Sequence, residues 1–205
     1  MPPDRRLERF SLVERLIHWS VALSFLYAAL TGIGLWSPRL YWVAAIFGGG
    51  ATVSAWHPLG GLLFALVFAL MSSRWHRQMR LDADDRLWLR HGHRFILHEE
   101  FGVLESGRFN GGQKALYWMQ AASAVILVLS GLVLWFPEVM PRALRLAAVL
   151  LHPVAAVASL TGLIVHVYMG TVAIPGALRS MIEGYVSRGW ASTHHPKWYR
   201  EVTRR

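Results

Sequence analysis

Ten histidines and no cysteine leave imidazole as the main transition-metal ligand this chain can offer. Four of them, His18, His57, His152 and His166, lie in or at the edge of long stretches without a charged residue. An imidazole inside hydrocarbon is costly and marks function, with a partner. His152 and His166 stand fourteen positions apart on one apolar segment. At about 1.5 Å rise per residue a helix sets them roughly 21 Å apart, and fourteen steps of about 100° return both to one stripe. One helix then presents two imidazoles on one face, near opposite leaflets of a bilayer.

The elements that must carry these rings follow from the charge gaps. No Asp, Glu, Lys or Arg occurs in the 23 residues between Arg15 and Arg39 or the 34 between Arg39 and Arg74. The same holds for the 23 between Lys114 and Glu138 and the 33 between Arg145 and Arg179. About 20 apolar residues cross the roughly 30 Å of hydrocarbon in a bilayer, so all four gaps are long enough. The expected fold is an all-α membrane protein, a four-transmembrane-helix bundle. Residues 1–205 form a single membrane domain, with spans at about 16–36, 54–73, 115–136 and 147–174. A polar loop over 74–114 and a tail over 175–205 complete it. His57-Pro58 and His152-Pro153 fall early in their spans, where proline's missing N–H is tolerated. The first apolar stretch is too long for a cleaved signal peptide and has no clear small-residue cleavage site.

The net charge of +9 is a matter of topology. Four spans put both termini and the central loop on one side, and 18 of the 21 Lys and Arg fall there. Only Arg39, Arg142 and Arg145 lie on the other side. The positive-inside bias makes the termini and the central loop cytoplasmic, with no role for nucleic acid. Trp36, Trp42, Trp56, Trp75, Trp118 and Trp135 fall near span ends, as in an interfacial aromatic belt. A surface helix is expected over Leu81–His98.

Travel direction assigns a depth to each histidine. His18 lies near the cytoplasmic face, His57 and His152 near the outer face, and His166 two heptads inward of His152. Two pairs result, His57 with His152 and His18 with His166. The inner pair matches in depth if the fourth helix projects beyond the bilayer, with Tyr168 near the interface. A b-type haem takes two axial imidazoles from facing helices. A single histidine in a span is as often a hydrogen-bonded structural residue as a ligand, but four in two matched pairs favour haem iron. Zinc wants four ligands in one shell, which a two-plus-two split does not supply. Without cysteine, no Cys-ligated iron–sulfur cluster, covalently attached haem or disulfide is available. Met119 and Met169 read as packing. The loop histidines His76, His91, His93 and His98, and His194-His195 in the tail, are expected to be solvated. Gly32, Gly60, Gly61, Gly131 and Gly162 would let a porphyrin or another helix approach closely.

These residues, with the tail Met181-Ile182-Glu183-Gly184-Tyr185-Val186-Ser187-Arg188 and His194-His195-Pro196-Lys197-Trp198-Tyr199-Arg200-Glu201, closely resemble the cytochrome b (gamma) subunits of respiratory formate dehydrogenases. Glu14-Arg15, His18-Trp19, His57-Pro58, Asn110-Gly111-Gly112-Gln113-Lys114 and the His152/His166 spacing belong to the same resemblance. The tail is its specific part, because membrane histidines alone fit several quinone-linked cytochromes b.

The resemblance implies a subunit with two haem b, ligated by the pairs His57/His152 and His18/His166. Electrons would come from a molybdenum- or tungsten-containing catalytic (alpha) subunit through an iron–sulfur (beta) subunit. They would pass the outer haem, then the inner one, and reduce a quinone (menaquinone or ubiquinone) near the cytoplasmic face. The chain would thus serve as an electron-transfer and quinone-reducing subunit in formate respiration. Carried across, the quinone pocket falls at Asn110, Gly112 and Gln113, beside His166. On the residues alone, Asn110 to Gly112 reads first as a turn with a helix cap. The competing readings are the cytochrome b of another dehydrogenase, such as a nickel–iron hydrogenase, and a haemless anchor or small transporter.

Overall fold

The computed structural model describes residues 6–96 and 105–204. In chain order these form β1 (Arg6–Glu8), α1 (Leu12–Trp36), α2 (Tyr41–Ile46), α3 (Gly50–Trp75), α4 (Ala83–Ile96) and α5 (Gly111–Trp135). They continue with α6 (Arg142–Tyr168), α7 (Ala177–Ile182), β2 (Tyr185–Ser187), α8 (Arg188–His194) and α9 (Pro196–Thr203). A widened π turn over Met169–Ala173 prolongs α6. Among the described residues four helices are long and apolar enough to cross a membrane: α1, α3, α5, and α6 with its extension. Only 17–22% of their apolar windows is buried within the protein, and Leu23, Leu66, Leu129 and Leu150 project from it. Faces this apolar need lipid, and the chain is a multi-pass, four-helix membrane protein.

These helices outrun the charge-free stretches. Each begins four or five residues before its expected span, so Glu14, Arg15, Lys114, Arg142 and Arg145 lie inside helices. The two prolines consequently sit well inside, Pro58 in α3 and Pro153 in α6, and not in a first turn. A proline there frees the carbonyl four residues earlier, which is tolerated in a membrane helix where neighbours or side chains take it up. Those carbonyls belong to Ser54 and Val149.

The chain divides into two compact units. One comprises residues 16–73 and 120–163. Its core joins Phe25, Phe64 and Ala124, ringed by Val21, Ala29, Phe68, Leu160 and Leu163, so all four long helices contribute. Phe25 and Phe64 meet with ring centres 5.4 Å apart. Gln120 secures α5 to α6 by donating from Nε2 to the Ser159 carbonyl at 3.0 Å. Between α1 and α3 the connection holds α2, then Gly48 and Gly49 with φ near +90°, a conformation that glycine adopts freely.

The other unit gathers residues 1–15, 74–119 and 164–205. Strand β1 pairs antiparallel with β2 in the register Arg6↔Ser187, Leu7↔Val186 and Glu8↔Tyr185. The aromatic tail folds back as a small core of Val186, Ala191 and Trp198, with Leu7, Trp190 and Tyr199 against it. Three helices start with reciprocal caps. Ser11 and Glu14 cap α1, and Asp82 and Asp85 cap α4. Asn110 and Gln113 cap α5. Each satisfies donors that a helix start leaves open. The surface helix expected over Leu81–His98 is observed as α4, and His98 lies outside the described residues.

Two expectations fail in this unit. His195, expected in solvent, is only 2% exposed. Trp75, expected in an interfacial belt, is buried and donates from Nε1 to Glu14 Oε1 at 2.8 Å. The cause is shared. Buried Arg9 and the half-buried Glu14 and Arg108 form a polar knot, and these rings pack against it. Arg108 Nη2 reaches both Glu14 oxygens, at 2.8 and 2.9 Å, and also the Arg9 carbonyl.

Candidate functional site

His57 on α3 and His152 on α6 come together in the unit of residues 16–73 and 120–163, with ring centroids 6.2 Å apart. The hydroxyl of Thr31, on α1, lies 2.9 Å from His57 Nδ1. That of Ser130, on α5, lies 2.9 Å from His152 Nδ1. Each hydroxyl hydrogen has a closer acceptor on its own helix. Thr31 Oγ1 donates to the Tyr27 carbonyl at 2.7 Å, and Ser130 Oγ to that of Ile126 at 2.5 Å. Having one hydrogen apiece, both hydroxyls must accept from the imidazoles. Each ring therefore carries its proton on Nδ1 and leaves the Nε2 lone pair bare.

Each hydroxyl is followed by a glycine under the ring. A Cβ on Gly32 would lie 3.1 Å from His57 Cε1, and one on Gly131 would lie 3.3 Å from His152 Cε1. Thr31-Gly32 and Ser130-Gly131 are thus matching cradles on two helices. Both rings line a cavity of about 480 Å³. Phe25, Phe64, Leu127, Leu160, Trp36 and Trp135 supply much of its wall, while Ser54 and Val149, whose carbonyls the prolines free, also border it.

Two neutral imidazoles, each with a bare Nε2, in an apolar cavity are a donor set for a low-spin haem. The spacing agrees. Metal–imidazole bonds of roughly 2.0–2.1 Å, plus about 1.1 Å from nitrogen to ring centre, put two ligating rings roughly 6.2–6.4 Å apart. The observed centroid separation of 6.2 Å falls at the short end of that range. The residues fit the group.

The remaining predicted site residues are placed as follows. His18 belongs to this same unit, on the second turn of α1, half-buried and edge-on to Trp19 at 5.5 Å. His166 belongs to the other unit, exposed on the last turns of α6, the same unbroken helix that carries His152. Asn110 and Gln113 make the reciprocal cap of α5. Gln113 N–H donates to Asn110 Oδ1 at 2.9 Å and Asn110 N–H to Gln113 Oε1 at 3.0 Å. Gly112 faces the Trp88 indole, which would lie 2.6 Å from an added Cβ. Close by, Lys114 pairs with Asp85 at 2.5 Å, both side chains buried, and donates to the Arg80 carbonyl at 3.1 Å. The cap reading of Asn110 therefore holds, and the cap spends Oδ1 but not Nδ2.

Thr31 and Ser130 were not legible as site residues, because a serine or threonine in a span ordinarily back-bonds its own helix. The available signal was the hydroxyl–glycine dipeptide repeated before each proposed outer ligand.

Comparison with known proteins shows the family. The family model described as prokaryotic cytochrome b561 matches residues 9–184. The cytochrome b556(fdo) subunit of formate dehydrogenase from Escherichia coli (strain K12) is 35% identical, over 95% of this chain and 92% of its own. The cytochrome b556(Fdn) subunit of the nitrate-inducible formate dehydrogenase of the same strain is 30% identical, over 98% and 94%. The cytochrome b556 subunit of formate dehydrogenase from Haemophilus influenzae is 30% identical, over 97% and 84%. With four membrane-length helices and two imidazoles set at bis-ligand spacing, the chain belongs to the prokaryotic cytochrome b561 family, whose name carries haem b with it.

Proposed function

We propose that this chain is the membrane-anchoring cytochrome b subunit of a bacterial formate dehydrogenase. Both termini are cytoplasmic, and residues 1–205 work as one domain of the inner membrane. It takes electrons from an iron–sulfur subunit served by a molybdenum or tungsten catalytic subunit, and delivers them to a quinone near the cytoplasmic face. The observation that carries this reading is the His57–His152 pair, each ring held by a hydroxyl at Nδ1 and offering Nε2 to an apolar cavity. Haem b bound there supplies reversible one-electron transfer across the outer part of the bilayer.

The protein's own contribution is positional. Four helices keep the rings apart by one iron's width, and the aromatic and leucine walls exclude water. A second haem b is held by His18 of α1 and by His166, fourteen residues beyond His152 on α6. The quinone head group is received at the start of α5, by Asn110, Gly112 and Gln113, with His166 beside it. Since Asn110 Oδ1 is engaged in the cap, Nδ2 is the side-chain donor offered to a quinone oxygen. The similarity to the formate dehydrogenase subunits supports the choice of partner complex.

The test is haem content in the purified complex. The expected result is a b-type spectrum with two haems per chain, falling to one in His57→Ala or His152→Ala and in His18→Ala or His166→Ala. One haem or none in folded wild-type protein overturns the reading. So does copurification with a catalytic subunit that does not oxidise formate.

A further inference from the structure

We propose that Thr31 and Ser130 are positioning residues that fix the tautomers of His57 and His152 and set how strongly these imidazoles donate electrons to iron. The inference rests on the haem reading above and extends it to two residues that act through the imidazoles. Its basis is direction. Thr31 Oγ1 spends its hydrogen on the Tyr27 carbonyl at 2.7 Å, so the 2.9 Å contact with His57 can only run from Nδ1–H to the hydroxyl oxygen. Ser130 spends its hydrogen on the Ile126 carbonyl, and the 2.9 Å contact with His152 runs the same way. Thr31 is fully buried and Ser130 nearly so, so water does not replace either acceptor.

Back-bonding of a hydroxyl to its own helix is common in membrane spans and needs no ligand to explain it. It does not explain why, on two different helices, the remaining lone pair falls at the same distance from the same atom of a histidine on a neighbour. Nor does it explain the glycine that follows each hydroxyl and leaves room under Cε1. A histidine side chain in water favours the tautomer with hydrogen on Nε2. Here the hydroxyls hold the opposite one, with Nε2 bare for a metal. A hydrogen bond from Nδ1–H makes imidazole a stronger base and stabilises the higher oxidation state of the metal it holds. Removing the acceptor should weaken the donor and raise the midpoint potential.

The experiment uses the intact complex with Thr31→Val, Thr31→Ser, Ser130→Ala and Ser130→Thr, read by optical redox titration and by haem content. Thr31→Val and Ser130→Ala should each shift one and the same haem to higher potential and leave the other unmoved. Thr31→Ser and Ser130→Thr, which restore a hydroxyl, should return the wild-type value. An unmoved potential at full haem content overturns the proposal, as does a shift shared by both haems or an equal shift in the restored variants. If Thr31→Val sheds its haem, nitrogen NMR of the histidine-labelled apo chain decides. Wild type should show Nδ1–H at His57 and His152, and Thr31→Val should lose it at His57 alone; an unchanged His57 tautomer refutes the claim. A wild-type chain without haem would defeat the functional reading, while the NMR result would still judge the tautomers.

Discussion

Arg9 reaches across 186 positions of sequence to donate from Nη2 to His195 Nε2 at 2.8 Å. The same imidazole donates from Nδ1 to the Gly107 carbonyl at 2.7 Å, since a carbonyl can only accept. His195 is therefore held neutral, between an N-terminal arginine and the loop that leads into α5. Burial, and then the charge of Arg9, push its pKa well below the ordinary value near 6.5. His194, itself shifted downward by burial and Arg9, stands beside it, and Trp190 and Trp198 close the remaining sides.

The sign of the pH dependence follows. Below about pH 6.5 the unfolded chain takes up a proton at His195 that the folded chain refuses, so stability falls as pH falls, by up to about 1.4 kcal/mol per pH unit. Thermal unfolding of the solubilised protein from pH 7.5 to 5 should show a declining Tm. His195→Gln, which cannot titrate, should flatten part of that decline at the cost of some stability at pH 7.5. An undiminished slope in the variant would mean that other groups set the acid sensitivity.

The Glu14–Arg108 pair predicts a separation of charge from capping. Glu14 serves both as the partner of Arg108 and as the third residue of the cap begun by Ser11. Glutamine fits such a cap as well as glutamate. Glu14→Gln should therefore leave the α1 start intact yet cost about 1–3 kcal/mol, because a mostly buried guanidinium loses its counter-charge. Arg108→Met should cost a similar amount. The double variant should cost less than the sum, as expected for two groups in direct contact. Additive losses, measured by chemical or thermal unfolding, would show that the pair is energetically idle.

The membrane helices were readable because hydrocarbon imposes a length and forbids charge, and both leave plain marks in sequence. The approach of His57 to His152 follows from two spans that run in the same direction with a histidine early in each. The polar unit was not. Its strands are three residues long and pair across about 180 positions, so no local pattern announces them. His195 and Trp75 looked like solvent and interface residues because their burial depends on Arg9 and Arg108 arriving from distant segments. The helix ends were missed for a related reason. Glu14, Arg15 and Lys114 stand at the borders of the expected spans, but they are paired with other side chains or carbonyls, and the helices run through them.

The glycines beneath His57 and His152 should be graded in their tolerance. An added methyl at Gly131 would stand 3.3 Å from His152 Cε1, and one at Gly32 would stand 3.1 Å from His57 Cε1. Each ring must then move by a few tenths of an ångström, and such overpacking costs about 1–3 kcal/mol. Gly131→Ala should weaken haem retention on heating slightly, Gly32→Ala more, and Gly32→Val should empty the outer position while the other haem stays. Equal retention in all three would show that the ring has slack at this site.

The start of α5 allows its cap to be separated from the quinone contact proposed for Asn110. Asn110→Ala removes both the capping oxygen and the amide N–H, and should cost about 1 kcal/mol as caps generally do. Asn110→Ser restores the cap, because serine accepts from the third helical N–H as well as asparagine does, yet it has no amide to offer a quinone oxygen. Stability and both haem spectra of Asn110→Ser should therefore match wild type within about 0.5 kcal/mol, while the KM for quinone rises several-fold. Gln113→Glu keeps the reciprocal cap and serves as the control for the other side chain. A wild-type KM in Asn110→Ser would reduce Asn110 to a helix cap and move the quinone contact to the neighbouring backbone. Loss of stability in Asn110→Ser would instead show that the carboxamide does more for the fold than its single bond to Gln113 N–H accounts for.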